Sequence, residues 1–296
     1  MQRERVSENV YWFQSEVYAQ VTAGVITGPK WAVVIDTLPV PEETLAMRSF
    51  IEDVLDVPVQ YIINTHFHAD HTWGNCFFPG ATIISHQLCR DLQIKHGLAS
   101  LEAAQQQNQI FKQVKLVYPH LTFESGSLSL RVGKKNLSLF TTPGHSPDGI
   151  SILIEEDRVL FAADAFLPIP YFVNGDIDTL ENTLKSFNVL GLENVVQGHG
   201  DIILRGEIEE TIQLNLAYLD TLKKKVRKAV TNKNPLHAAA EITVESCGKD
   251  RVVLSGLGNT LHQNNVRWLL NKYALEAGIA LVDLPYDEFE DDIIDD

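Results

Sequence analysis

Over the first two-thirds of the chain, short runs rich in β-branched residues alternate with segments whose apolar positions recur at helical spacing. Residues 17–27 and 31–36 read as strands, separated by the turn pair Gly28-Pro29. Pro41 then opens a helix, with Met47, Phe50, Ile51, Val54 and Leu55 at helical intervals. Residues 59–64 and 81–85 are short apolar runs of the kind that fill buried strands. From 87 to 115 the chain turns polar and helical, with three consecutive glutamines at 105–107. This predicts an inserted helical hairpin, either a solvated excursion or a lid. Strands resume at 128–132, 136–141, 150–154 and 158–163, the last two joined as a hairpin by Glu155-Glu156-Asp157. A helix over 179–190 leads to a strand near Val195-Val196.

Beyond Gly206 the pattern is helical. Residues 207–230 carry Ile208, Ile212, Leu216, Leu219, Leu222 and Val226 on one face, with acids first and bases last, as the helix dipole favours. The bases at 223–228 read as a solvated final turn rather than a binding patch. Two more helices are expected over 236–246 and 259–277. The last ten residues hold seven acids and predict a frayed end. The pattern divides the chain into residues 1–205, a helical extension over 206–286 and an acidic tail over 287–296.

Composition narrows the partners. The chain has 296 residues and a net charge of −15, which argues against a nucleic-acid backbone because such sites need basic surface. Seven of the 39 acids sit in the tail, so that argument is weaker for the body of the chain. No apolar run approaches the roughly 20 residues that span a bilayer, so no membrane partner is expected. The first residues carry both charge signs and no apolar stretch, so no signal peptide is evident. Cys76, Cys89 and Cys247 form no Cys-x-x-Cys pair, which argues for a reducing compartment. A cytoplasmic protein is the expectation, and a homodimer is left open.

The chemistry concentrates in His66-Phe67-His68-Ala69-Asp70-His71, directly after the predicted strand ending at Asn64. By this chain's His and Asp frequencies the pattern arises by chance on the order of once per thousand such sequences. Burying three imidazoles and a carboxylate unpaired would cost several kcal/mol, a cost that a metal removes. Nitrogen and carboxylate donors without thiolate suit zinc, and also iron or manganese. Residues two apart in extended chain point the same way, so His66 and His68 can share one metal, and the turn after them can aim Asp70 and His71 at a second. More donors must then come from other strand ends. His145 lies in Thr142-Pro143-Gly144-His145-Ser146-Pro147-Asp148, Asp164 follows an apolar strand, and His199 sits between Gly198 and Gly200, which let backbone approach closely.

This ordered set resembles the metal-binding pattern of the dinuclear hydrolases of the metallo-β-lactamase superfamily, over about residues 15–205. The resemblance implies an α/β fold, a four-layer αββα sandwich, here with a C-terminal helical extension. It implies a first metal on His66, His68 and His145, a second on Asp70, His71 and His199, and Asp164 bridging the two. Two divalent ions, zinc foremost, would then sit ~3.5–4 Å apart and make a nucleophile from water at neutral pH, with Asp70 orienting it. Asp36 resembles the acid of the family's first motif, which supports the ligands from behind. Thr65 and Asp148 are candidates for the same supporting role. Trp73, Tyr171 and Phe172 are candidates to wall the substrate pocket, with the Tyr171 hydroxyl placed to serve an oxyanion.

Within the family, a carboxylate at 164 and no export signal disfavour β-lactam hydrolysis. The all-His/Asp set is closer to glyoxalase II-type thioesterases, lactonases and phosphodiesterases. Gly198-His199-Gly200-Asp201 departs from the Gly-His-Glu-Tyr usual in glyoxalase II, which puts a glutathione thioester in doubt. The expected activity is metal-dependent hydrolysis of a small ester, thioester or lactone. The alternatives are a persulfide dioxygenase with one iron, a phosphodiesterase or nuclease, and a non-catalytic binding module.

Overall fold

The computed structural model describes residues 1–279. Strands β1 (Gln2–Ser7), β2 (Val10–Gln14), β3 (Thr22–Thr27), β4 (Ala32–Ile35), β5 (Val59–Ile63), β6 (Thr82–His86) and β7 (Leu121–Phe123) form one sheet in that order. It is antiparallel up to β4 and parallel from there on. A second sheet runs β13 (Ile203–Leu204), β12 (Asn194–Gln197), β11 (Val159–Ala163), β10 (Ile150–Ile154), β9 (Lys135–Thr141), β8 (Ser127–Val132), with only β11 and β12 parallel.

Strand alternation builds the layers. Along β4, Val33 and Ile35 turn to the space between the sheets while Ala32 and Val34 turn to the outer face. Along β11, Val159 and Phe161 enter the same inter-sheet core, and Leu160 and Ala162 face the other way. The outer face of the first sheet packs on α1 (Pro41–Ser49), continued by a π-helical turn over Phe50–Val54, and on α3 (Gln87–Gln107). The outer face of the second packs on α4 (Ile177–Phe187), α5 (Arg205–Val230), α6 (Pro235–Ala240) and α7 (Gly258–Glu276). The result is the expected αββα arrangement, with the C-terminal helices in one apolar cluster with the second sheet.

Several expectations change in detail. The segment 17–27 is strand only from Thr22; Ala19 and Gln20 take left-handed φ values of 47° and 53° and bend the chain before it. The predicted hairpin over 87–115 is one 21-residue helix followed by a 3₁₀ turn over Gln109–Gln113. Asn108 ends the helix because its side chain caps the next turn, accepting from Ile110 N at 3.0 Å. The helix expected over 236–246 stops at Ala240, before Ile242, Thr243 and Val244, whose branched side chains disfavour helix. The strands β1, β2, β7 and β13 were not anticipated. The predicted tail, 287–296, lies outside the described residues. No helix among the described residues is long and apolar enough to cross a membrane.

Candidate metal centre

The strand ends that carry the conspicuous His and Asp residues converge at one edge of the sandwich. β5 delivers the His66–His71 stretch, whose Ala69–Thr72 portion forms the short helix α2. β9 is followed by the loop with His145, Asp164 directly follows β11, and β12 leads to His199. Two donor groups result: His66, His68, His145 and Asp164, and Asp70, His71 and His199, with the donor atoms of each within 4.8 Å of one another. In the first, His68 Nδ1 lies 3.0 Å from both His66 Nε2 and His145 Nε2. Asp164 Oδ2 is 3.4 Å from His145 Nε2 and 3.9 Å from His66 Nε2. In the second, His199 Nε2 is 3.2 Å from Asp70 Oδ2, and His71 Nε2 is 3.2 Å from Asp164 Oδ1. Asp164 reaches both groups, so all seven predicted donors meet.

Each ring is oriented by a partner on its other nitrogen. His71 Nδ1 bonds Asp36 Oδ2 at 2.9 Å, and Thr65 gives both its N–H and its hydroxyl to the same carboxylate at 2.8 and 2.7 Å. The Thr65 hydroxyl oxygen lies 3.0 Å from His66 Nδ1. His145 Nδ1 donates to Tyr171 O and His199 Nδ1 to Ala19 O, each at 2.9 Å. These bonds put the protons on the outer nitrogens and leave the lone pairs facing the centre. His68 differs: its donor atom is Nδ1, and Nε2 meets the Asn174 amide at 3.1 Å. The Asn174 atom there is Nδ2; a neutral His68 ligating through Nδ1 carries its proton on Nε2, and turning the amide over brings the Asn174 oxygen to accept it.

Local backbone is committed to this geometry. Gly198 has no room for a side chain, since a Cβ would stand 1.8 Å from Asp164 Oδ1. Gly144 takes φ +142°, and a Cβ there would meet Leu180 Cα of α4 at 2.4 Å. Ala163, just before Asp164, and Asp36 adopt left-handed φ values of 47° and 54°.

Burial and charge oppose each other across the site. Burial holds the His66 pKa well below its usual value and pushes His68 down to about 3, with neighbouring rings adding to it. Burial likewise lowers His145. Burial would also lower His71, but Asp70, Asp164 and Asp36 raise it well above the usual value; Asp164 and Asp70 raise His199 in the same way. The carboxyls respond oppositely. Burial would raise Asp164 and Asp70, yet the rings beside them pull Asp164 well below the usual range and Asp70 down to about 2. The imidazoles of the first group, His66, His68 and His145, are thus disposed to be neutral, while His71 and His199 hold protons beside Asp70 and Asp164 where a cation would replace them. Two buried atoms, His71 Nε2 and Asp164 Oδ1, have no hydrogen-bond partner although they face each other. Unpartnered donors aimed at one point, nitrogen and oxygen only, fit divalent metal ions.

A cavity of about 540 Å³ opens from the centre, lined by His68, Asp70, His145, Asp164 and His199. One face of α3 lies along it, through Gln93, His96, Gly97, Ser100, Ala104 and Gln107, so the insertion walls the site. Trp73 and Tyr171 also line it; Trp73 packs edge-on against Phe111, and the Tyr171 hydroxyl is engaged by Asn264 of α7 rather than aimed at the donors. Phe172 does not reach the cavity. It is fully buried against Trp268, because the chain there turns inward under α7. Asp148 is buried beside Ser146 and the Phe67 backbone and joins none of the rings, unlike Asp36 and Thr65; burial raises its pKa to about 6. The contacts that sequence reasoning missed are Asn174 and the carbonyls of Tyr171 and Ala19. A carbonyl leaves no mark in side-chain identity, and Asn174 stands alone in a turn.

The Metallo-beta-lactamase superfamily profile matches residues 18–230. The thioesterase pkgB of Emericella nidulans is 27% identical over 189 residues, covering 63% of this chain and 46% of that protein. A lactamase-like protein nscB of Trichophyton verrucosum is 26% identical over 53% of this chain and 47% of its own length. The beta-lactamase-like protein 2 homolog of Caenorhabditis elegans is 24% identical over 60% and 54%. The chain spans about half the length of the curated relatives it matches. Among solved structures, a metallo-beta-lactamase from Pontibacter korlensis superposes with a TM-score of 0.60 at 17% identity, over 72% of this chain and 98% of that one. A double mutant of the sec-alkyl sulfatase PisA1 superposes with a TM-score of 0.71 at 16% identity, over 92% and 50%. These two show a shared fold.

Proposed function

The chain belongs to the metallo-beta-lactamase superfamily, and on that premise we propose that it is a dinuclear metal-dependent hydrolase of a small ester, thioester or lactone. The observation that carries this reading is the pair of donor groups joined by Asp164, with its Oδ1 and His71 Nε2 buried and unpartnered. His66, His68 and His145 would hold one divalent ion, Asp70, His71 and His199 the other, and Asp164 both. Zinc fits the donors first, and iron or manganese fit the same set. Ions held there would supply an activated water at neutral pH and polarise the scissile carbonyl.

The chain's own residues do the rest. Asp70 lies at the cavity wall 3.2 Å from His199 Nε2, where its carboxylate can accept a hydrogen bond from the attacking water and hold its orientation. Asp36 and Thr65 lock the rings of His71 and His66, and Asn174 locks His68 at the cavity mouth. α3 walls the cavity from the side. A thiol nucleophile has no place in this scheme: burial raises the pKa of Cys89 well above its usual value, and neither Cys76, Cys89 nor Cys247 lines the cavity. The thioesterase name of the Emericella nidulans relative favours the acyl-transfer branch over the phosphodiester one. The three unpaired thiols fit a cytoplasmic location.

Metal analysis and a panel of thioester, lactone, ester and phosphodiester substrates test the reading together. About two equivalents of zinc, iron or manganese with hydrolysis of an acyl substrate is the expected result. A single iron with oxygen uptake on a persulfide would replace it with dioxygenase chemistry, and a protein that binds no metal would leave only a binding role.

A further inference from the structure

The cavity beside the metal centre has a lopsided chemistry. Its ionised side chains, Asp70 and Asp164, both belong to the donor set, and no Lys or Arg lines it among the described residues. Residues 280–296 contain neither Lys nor Arg, so the remainder of the chain brings no cationic side chain either. Away from the donors Phe67, Trp73, Leu116, Val117, Leu254 and Leu261 supply the apolar part of the wall, and Gln93, His96, Ser100 and Gln107 of α3 with Asn174 supply a polar part without Lys, Arg, Asp or Glu. Along α3 the positions facing the cavity are mostly small, including Gly97, Ala103 and Ala104, which leaves the space beside the helix open. At about 540 Å³ the space is in the range of small-molecule sites, roughly 300–1,000 Å³, and far exceeds what a scissile carbonyl alone would occupy.

An anionic carboxylate, phosphate or sulfate carried into this part of the cavity would lose part of its water and meet no Lys or Arg among the described residues to offset that loss. An apolar group gains by the same transfer. We propose that the cavity selects neutral acyl substrates, with an uncharged apolar acyl body lying along α3 and its ester, thioester or lactone carbonyl at the metal donors. This rests on the hydrolase reading above and narrows it, setting aside acyl donors whose far end is anionic.

The test uses the metal-loaded protein and two readouts. In the first, kcat/KM is measured on neutral straight-chain thioesters of rising length with one leaving group, and on the same chains ending in a carboxylate. The expected result is a rise of about fourfold per added methylene until the cavity is filled, with the carboxylate-ended chains at least tenfold poorer. In the second, tryptophan fluorescence follows binding of neutral alkyl methyl ketones, which cannot be hydrolysed, and affinity rises with length in the same way. Ala103→Arg places a cation at an exposed position of the wall and narrows the neutral-to-anionic preference by tenfold or more. Flat dependence on length in both readouts, or equal rates for charged and neutral chains, overturns the inference. An Ala103→Arg protein with unchanged preference removes α3 from it. Length-dependent ketone binding without hydrolysis of any acyl substrate would keep the inference and sink the hydrolase reading.

Discussion

Asp36 faces no substrate, yet its two oxygens take a bond from His71 and two from Thr65, which in turn meets His66. One carboxylate therefore orients a ring in each donor group. Asp36→Asn puts an NH2 at one of the two oxygens that take those three donors, so at least one donor must lose its acceptor. The variant is expected to fold, with metal affinity lower by about 10–100-fold in competition with a chelator, as losses behind metal-bound histidines generally are. Wild-type affinity would show that the rings hold their orientation without it. At this scale the sequence was highly legible. His-x-His-x-Asp-His is too dense in ligands to arise from packing, and Asp36, Thr65, His145, Asp164 and His199 each sit at the end of an apolar run. Asp148 was less legible, since burial next to a ligand loop looks in sequence like support of it. Nor could residue identity separate Phe172, turned inward, from Tyr171 beside it at the cavity.

The elements around the site are held by polar contacts that no hydrophobic pattern announces. Asn265 of α7 donates to Pro170 O at 2.7 Å and accepts from Phe172 N at 3.3 Å, clasping the backbone on both sides of Tyr171, whose carbonyl orients His145. Asn215 of α5 donates to Leu167 O at 3.3 Å and accepts from Lys249 at 2.5 Å. Asn265→Ala leaves two buried backbone groups unpaired, a loss of about 1–3 kcal/mol. Thermal unfolding should register that loss, and chelator competition should show weaker binding of the ion held by His145. Asp176 acts similarly at the start of α4. It accepts from Thr179 N at 2.9 Å and pairs with Lys272 at 3.0 Å, and although burial opposes it, these bonds hold its pKa at about 2. Its folded pKa is depressed, so its contribution is full above the unfolded value of about 4 and fades as pH falls toward 2. Asp176→Ala should cost about 1 kcal/mol at pH 7, as an N-cap does, and the gap between variant and wild type should close below pH 3 in denaturant titrations. A gap independent of pH would assign the cost to packing. Edge elements were the hardest to read. In β1, Gln2, Arg3, Glu4 and Arg5 are exposed and mostly charged, as edge strands are protected, so the strand shows no apolar alternation. β7 and β13 have three and two residues, too few for periodicity to register.

At the scale of the whole molecule, the helices beyond residue 205 are bound to the second sheet by a common core. Tyr218, Leu222 and Val226 of α5 and Leu261, Leu269 and Leu270 of α7 lie in one buried cluster with Leu160, Phe166 and Leu184. The superfamily match itself runs to residue 230, through the end of α5. The sequence pattern made these helices look like an addition, because helical spacing reports that a face is apolar without saying which surface covers it. A chain ended at residue 230 discriminates an appendix from a part of the core. It would uncover Tyr218, Leu222 and Val226 and remove Asn265 from the loop that sets His145. Burying a large aliphatic or aromatic side chain contributes about 1.5–3 kcal/mol, and a domain's net stability is only about 5–15 kcal/mol. Loss of three or four such contacts is therefore enough to unfold it. The truncated chain is expected to bind a hydrophobic dye, lose its cooperative melting transition and retain no tightly bound metal. A truncated chain that melts cooperatively and holds the same metal content as the full one would instead make the helices beyond 230 a true appendix, and would place everything the centre needs within residues 1–230.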